Sequence, residues 1–256
     1  MRWNRMFTLG AALLVAASLA GAQGPANGRM HRGFGGPAGA GMGPGGAGLF
    51  GMGLHKVITG APYSGVATTQ RTHTLEGGNQ ISSTTQVKEF RDAQGRVRSE
   101  RTGPRGGTEI TIFDPVGGFL YLLNPAKMTG VQIPLPASTS TTAPTTPTTP
   151  KQPKGATVVT QDLGQQTVNG VLANGTTTTI TIAAGAVGNA QPIVSVRTVW
   201  VSTDLQIPVS IKSTDPRSGS SDMELTGIVE AAPAASLFLT TGYTLTERTP
   251  GAGHGR

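Results

Sequence analysis

The sequence predicts an all-β protein: an antiparallel meander forming a curved sheet, half-barrel or barrel, with little helix. Three observations carry this. β-branched and aromatic runs recur along the chain, and turn signals separate them at short intervals. The connections are also too short for the crossovers that parallel strands need.

The chain opens with Arg2 and Arg5, an apolar stretch from Phe7 to Ala20, and Ala20-Gly21-Ala22 before Gln23. A basic start, a short apolar segment and small residues at −3 and −1 make 1–22 a secretory signal peptide, cleaved after Ala22. The apolar stretch is too short and too rich in small residues for a permanent span. The expected address is periplasmic or extracellular, with no transmembrane segment in the mature chain. Loss of the two leader arginines leaves 18 Lys and Arg against 13 Asp and Glu, a mild excess that suits an anionic surface without requiring one. With no cysteine, disulfides, thiol catalysis and thiolate metal sites are excluded.

Residues 23–60 are dominated by Gly, with neither helical nor strand periodicity, and are expected to be a disordered arm. A Thr/Pro-rich linker follows at 137–155, and a loose tail at 249–256. These cuts leave 61–136 and 156–248 as two halves of one β domain, large enough for a real core.

Strands are expected at about 65–75, 80–91, 96–102, 108–113, 119–124, 156–162, 166–173, 176–183, 193–203, 206–213 and 222–230. Glu76-Gly77-Gly78-Asn79, Asp92-Ala93-Gln94-Gly95, Asp114-Pro115 with Gly117-Gly118, and Asp215-Pro216 with Gly219 supply the reversals. The second strand alternates Ile81, Ser83, Thr85 and Val87 with polar residues, so one face is expected to be wet; Phe90 breaks the phase and suggests a bulge. Phe119, Tyr121 and Leu123 point one way while Leu120 and Leu122 point the other, so this strand needs cover on both sides. Trp200 is expected in one core with Ile110, Ile112, Leu122, Val196, Ile211 and Leu225. Helix is expected near Ala232 to Phe238 and around Leu49 to Ile58.

No catalytic, metal or cofactor site stands out. His73 is the one histidine on an expected strand, with no nucleophile motif to serve. Met30, His31, Met42, Met52 and His55 offer copper-type donors, but their spacing in the Gly-rich arm is irregular. Asp114 and Asp215 are better explained as turn initiators than as a carboxylate pair. Arg91, Arg96, Arg98, Arg101 and Arg105 form the densest basic cluster. Its candidate anion patch is Arg96, Arg98 and Arg101, with Glu89, Glu100 and Glu109 as partners that would neutralise it; the aromatic platforms of a nucleic-acid binder are missing. Phe119, Tyr121, Leu122 and Trp200 are the candidate lining of an apolar groove.

The successions Asp92 to Glu100, Ile110 to Pro115 and Phe119 to Pro125 resemble those of a group of exported bacterial all-β proteins, a resemblance that implies no activity. Val168-Asn169-Gly170-Val171, Trp200 to Leu205, Asp215-Pro216-Arg217 and Ser236-Leu237-Phe238 are similar to the same group. More distantly the chain resembles the outer-membrane lipoprotein carrier and sorting proteins, whose fold is an antiparallel half-barrel around an apolar groove. That resemblance implies a non-enzymatic envelope protein holding a lipid or acyl ligand, or binding an envelope protein. A structural or signalling module without a small ligand is the alternative.

Overall fold

The computed structural model describes residues 57–103, 106–135 and 155–248. The expected signal peptide, most of the expected arm, nearly all of the expected linker, the expected tail, the copper-type donors and the Leu49 end of the second expected helix lie outside them. The described residues form twelve strands and one short 3-10 turn. The strands are β1 (Tyr63–Thr74), β2 (Gln80–Arg91), β3 (Val97–Thr102), β4 (Thr108–Asp114), β5 (Phe119–Asn124), β6 (Thr129–Pro134), β7 (Ala156–Val168), β8 (Val171–Ile182), β9 (Ile193–Ser202), β10 (Pro208–Asp215), β11 (Gly219–Val229) and β12 (Thr244–Glu247).

All twelve belong to one open sheet, ordered β12-β6-β5-β4-β3-β2-β1-β11-β10-β9-β8-β7. Two antiparallel meanders, β1 to β6 and β7 to β11, are joined where β1 pairs with β11. The chain therefore passes from β6, next to one edge, to β7 at the other. β12 adds to β6 in parallel, and the sheet does not close into a barrel.

Several expectations on element limits are corrected. The stretch 166–173 is not one strand: Asn169 and Gly170, with φ of 50° and 91°, make the two-residue hairpin turn between β7 and β8. Gly164 does not end a strand, because the ladder only shifts register between Asp162 and Gly164 and then continues. Phe90 marks no bulge; β2 pairs with β1 without a shift from Tyr63–Arg91 to Thr74–Gln80. The helix near 232–238 is a single turn, Ala235–Phe238.

The expected single core is two buried clusters. The larger joins Tyr63, Ala67, Val87, Leu205, Ile207, Val209, Ile211, Met223 and Leu225, with Trp200 packed against it. The smaller joins Ile110, Ile112, Leu123 and Phe238. Of the seven residues expected together, Trp200, Ile211 and Leu225 fall in the first, Ile110 and Ile112 in the second, and Leu122 and Val196 in neither.

Candidate functional site

Register across β2 to β6 sorts the first meander into two faces. On one, Phe90, Arg98, Ile112, Tyr121 and Gln132 make a row, with Glu100, Ile110, Leu123, Gly130 and Leu245 in the next. After β11 the chain crosses this face, and Leu237, Phe238 and Tyr243 pack onto it. Phe238 is buried there against the Ile112 cluster, so this side of β5 is covered from within the chain.

Of the arginines of the candidate anion patch, Arg96 and Arg98 fasten this arrangement, and Arg98 and Arg101 meet two of the carboxylates named as their neutralising partners, Glu100 and Glu109. Arg96 pairs with Asp92 at 2.6 Å, and its guanidinium lies 4.9 Å from the Phe238 ring centroid. Arg98 donates to Glu100 and to the Leu237 carbonyl, both at 2.7 Å, which holds the crossing segment down. Arg101 pairs across the ladder with Glu109 on the opposite face. Each of the three has its own carboxylate, as charges held among neighbours in a half-buried setting require.

The second face is different. Arg91, Val97, Phe113, Leu120 and Ile133 form one row; Glu89, Ser99, Thr111, Leu122 and Val131 form the next. Val97, Phe113, Leu120, Leu122, Val131 and Ile133 are half-buried apolar residues outside both buried clusters. At the β2 end of these rows the surface turns into the core. Arg91, 2% exposed, donates from Nε to the Ala61 carbonyl and from Nη2 to that of Leu205, while Glu89, 0% exposed, accepts from the Ser99 hydroxyl. Burial pushes the Tyr63 hydroxyl up, with Glu89 adding to the effect and Arg91 opposing it.

The four residues expected to line one groove are not brought together. Phe119 and Tyr121, with ring centroids 5.9 Å apart, lie on the covered face; Leu122 lies on the half-buried one. Trp200 is on β9, seven strands from β5 in the sheet. Its indole lies against Gly175: a Cβ there would stand 2.5–2.7 Å from three consecutive atoms of the six-membered ring, so the ring meets the strand by its face. The hairpin tip closes nearby, where the Asn169 amide donates to the Val209 carbonyl at 3.1 Å and to Glu224 at 2.7 Å.

Among the described residues no group of three His, Cys, Asp or Glu could hold a metal ion, and no helix is long and apolar enough to cross a membrane. His73 is exposed on β1, opposite Ile81. Asp114 accepts from the backbone N–H groups of Val116 and Gly117, as its turn requires. Asp215 accepts from the Arg217 backbone and guanidinium and from Ser195, and the Arg217 bond holds its carboxyl well below the usual range.

The lining residues that sequence reading missed are Val97, Phe113, Leu120, Val131 and Ile133. The signal for Leu120 was present in the two-sided β5 pattern. Val131 and Ile133 lie on β6, Thr129–Pro134, a strand that was not among the expected runs.

No family model matches the chain, and no curated protein matches it. Solved structures give distant likenesses. MucB of Pseudomonas aeruginosa, solved with MucA, shows 14% identity over 70% of this chain and 55% of its own, with a TM-score of 0.36. This chain thus spans about half the length of MucB. A LolA superfamily protein from Nitrosomonas europaea shows 10% identity over 71% and 91%, TM-score 0.32. The Mycobacterium tuberculosis lipoprotein LppX shows 15% over 68% and 90%, TM-score 0.30. Likenesses this distant transfer no ligand or activity.

Proposed function

We propose that this protein is an exported, carrier-like envelope protein that holds an acyl chain on the half-buried face of β3 to β6. One observation carries the reading: two adjacent rows supply six apolar side chains, Val97, Phe113, Leu120, Leu122, Val131 and Ile133, on the face opposite the one that the C-terminal segment covers. The first row is apolar across four strands and the second adds Leu122 and Val131, and an apolar patch of this kind is a liability in water unless something covers it. An acyl chain fits because, within β3 to β6, the strip carries no charge until the Arg101–Glu109 pair at its margin, and that pair is neutral as a whole.

The test is titration of the full chain with an environment-sensitive naphthalene dye, followed by displacement with oleate. Saturable binding with competitive loss of signal supports the reading. Folded protein that neither saturates with dye nor binds oleate overturns it.

A further inference from the structure

We propose that the free edge of β7 is the surface through which two copies of this chain join, in an antiparallel pairing with its two-fold axis at Val159. The sheet has two unlike ends. At one, β12 is four residues long; at the other, β7 runs for thirteen, and among the described residues only β8 pairs with it. β7 is exposed on both faces along nearly its whole length, with Val159 60% and Val158 37% exposed. Edge strands are ordinarily guarded by lysine, proline, inward charges or a bulge. From Ala156 to Gln161 β7 has none of these; its bulge and its single charge, Asp162, which accepts from the Gly164 N–H, come only beyond that stretch.

The direction of the backbone groups fixes the register. The Gly155 carbonyl accepts from the Ala183 N–H, so the groups of Gly155 point toward β8. Alternation then turns the N–H and C=O of Ala156, Val158, Thr160 and Asp162 outward, the last four such residues before the register shift. An axis at Val159 sets Ala156 opposite Asp162 of the second copy and Val158 opposite Thr160, so all four find partners. It also keeps the two Asp162 carboxylates apart and sets the exposed Val159 beside itself, a β-branched cross-strand pair of the kind that stabilises ladders. An axis at Thr160 strands Ala156, and one at Val158 strands Asp162. The edge matches itself in one register and carries no charge pattern that would select another partner, and closed two-fold pairing is the commonest form of assembly.

The absence of cysteine makes the test direct. Val159→Cys puts the sole thiols in a close, non-hydrogen-bonded pair at the axis, within disulfide reach; Val158→Cys puts them on a diagonal beyond it. Under mild oxidation Val159→Cys is expected to give mostly linked dimer and Val158→Cys at least tenfold less. Sedimentation of the full chain should show a concentration-dependent dimer. Thr160→Pro, which removes an outward N–H and no bond to β8, should weaken it tenfold or more with unchanged far-UV circular dichroism. A chain that stays monomeric at every concentration overturns the proposal. So does a dimer indifferent to Thr160→Pro, or one in which both cysteine variants link equally.

Discussion

Arg91 stands directly opposite Tyr63 across the β1–β2 ladder, its guanidinium 4.9 Å from the centroid of the phenol ring. From that position it reaches two carbonyls distant in sequence, those of Ala61 and Leu205, and so ties the start of β1 to the loop between β9 and β10. One buried side chain thereby links both meanders of the sheet.

Removing that link leaves the buried Leu205 carbonyl and the half-buried Ala61 carbonyl short of a donor and takes a positive charge away from buried Glu89, which lies on the same face of β2. Arg91→Met is therefore expected to destabilise the protein by about 2–4 kcal/mol, the loss of two charge-assisted hydrogen bonds to carbonyls that are then left without that donor. Arg91→Lys keeps the charge but loses the planar fork, so it recovers only part of the loss. Urea unfolding of the three proteins checks the order.

Tyr63 gives the same region an alkaline limit. Burial raises its hydroxyl above the ordinary value in the folded state, so folding favours the protonated form. The stability this contributes is fully present below the unfolded value of about 10 and declines as pH rises through it, toward a slope of about 1.4 kcal/mol per pH unit. Tyr121 is raised in the same direction, chiefly by burial, and adds to the slope. Tyr63→Phe should remove most of the dependence between pH 10 and 11, measured by urea unfolding at fixed ionic strength. An unchanged slope would mean that Tyr63 ionises as freely in the fold as in water.

The contact between Trp200 and Gly175 predicts a coupled pair of mutations. Trp200→Ala should cost about 3–5 kcal/mol through lost burial. Gly175→Ala sets a methyl group against the ring face, a clash the flat indole cannot avoid without lifting, and should cost about 1–3 kcal/mol. With the ring gone the methyl group is harmless, so the double variant should be no less stable than Trp200→Ala alone. Additivity in that cycle would show that Gly175 matters for some reason other than the indole.

Much of the architecture was legible because it rests on local chemistry. Ten of the eleven expected runs fall on observed strands, since alternation and turn residues act within a few positions. The run 166–173 failed because a bulge glycine and a turn glycine look alike in sequence: Gly164 was read as a break, while Asn169-Gly170, the stronger turn signal, sat inside the run. β12 was invisible: four residues, Thr244 to Glu247, show no periodicity, and their pairing partner lies more than a hundred positions earlier. The site was legible in part for the same reason. Phe119 to Leu123 announced two apolar faces, but which face the chain covers depends on Phe238, whose approach no local pattern encodes. Trp200 was offered both to the core and to the groove because its strand is apolar on both faces; it packs against the larger core, and sheet order sets it seven strands from β5.

That division of β5 supplies the sharpest prediction about ligand binding. Leu120 and Leu122 project to the half-buried face, Tyr121 to the face packed under Phe238, so neighbouring substitutions should separate the two roles. A carboxylate at Leu120 or Leu122 sits where the acyl chain would lie, and desolvating it on binding is costly. Leu122→Glu should therefore weaken displacement of the dye by oleate tenfold or more, with a modest loss of stability because its side chain is only half-buried. Tyr121→Glu drives a charge under the C-terminal segment. It should lower stability by about 1–3 kcal/mol, through an unpaired carboxylate set against the Phe238 cluster at a half-buried position, while the protein that remains folded binds oleate nearly as well as wild type. Direct oleate titration at a temperature where both variants are folded distinguishes these outcomes. If Leu122→Glu binds normally and Tyr121→Glu does not, the ligand lies on the face under Phe238, and the C-terminal segment must move to admit it.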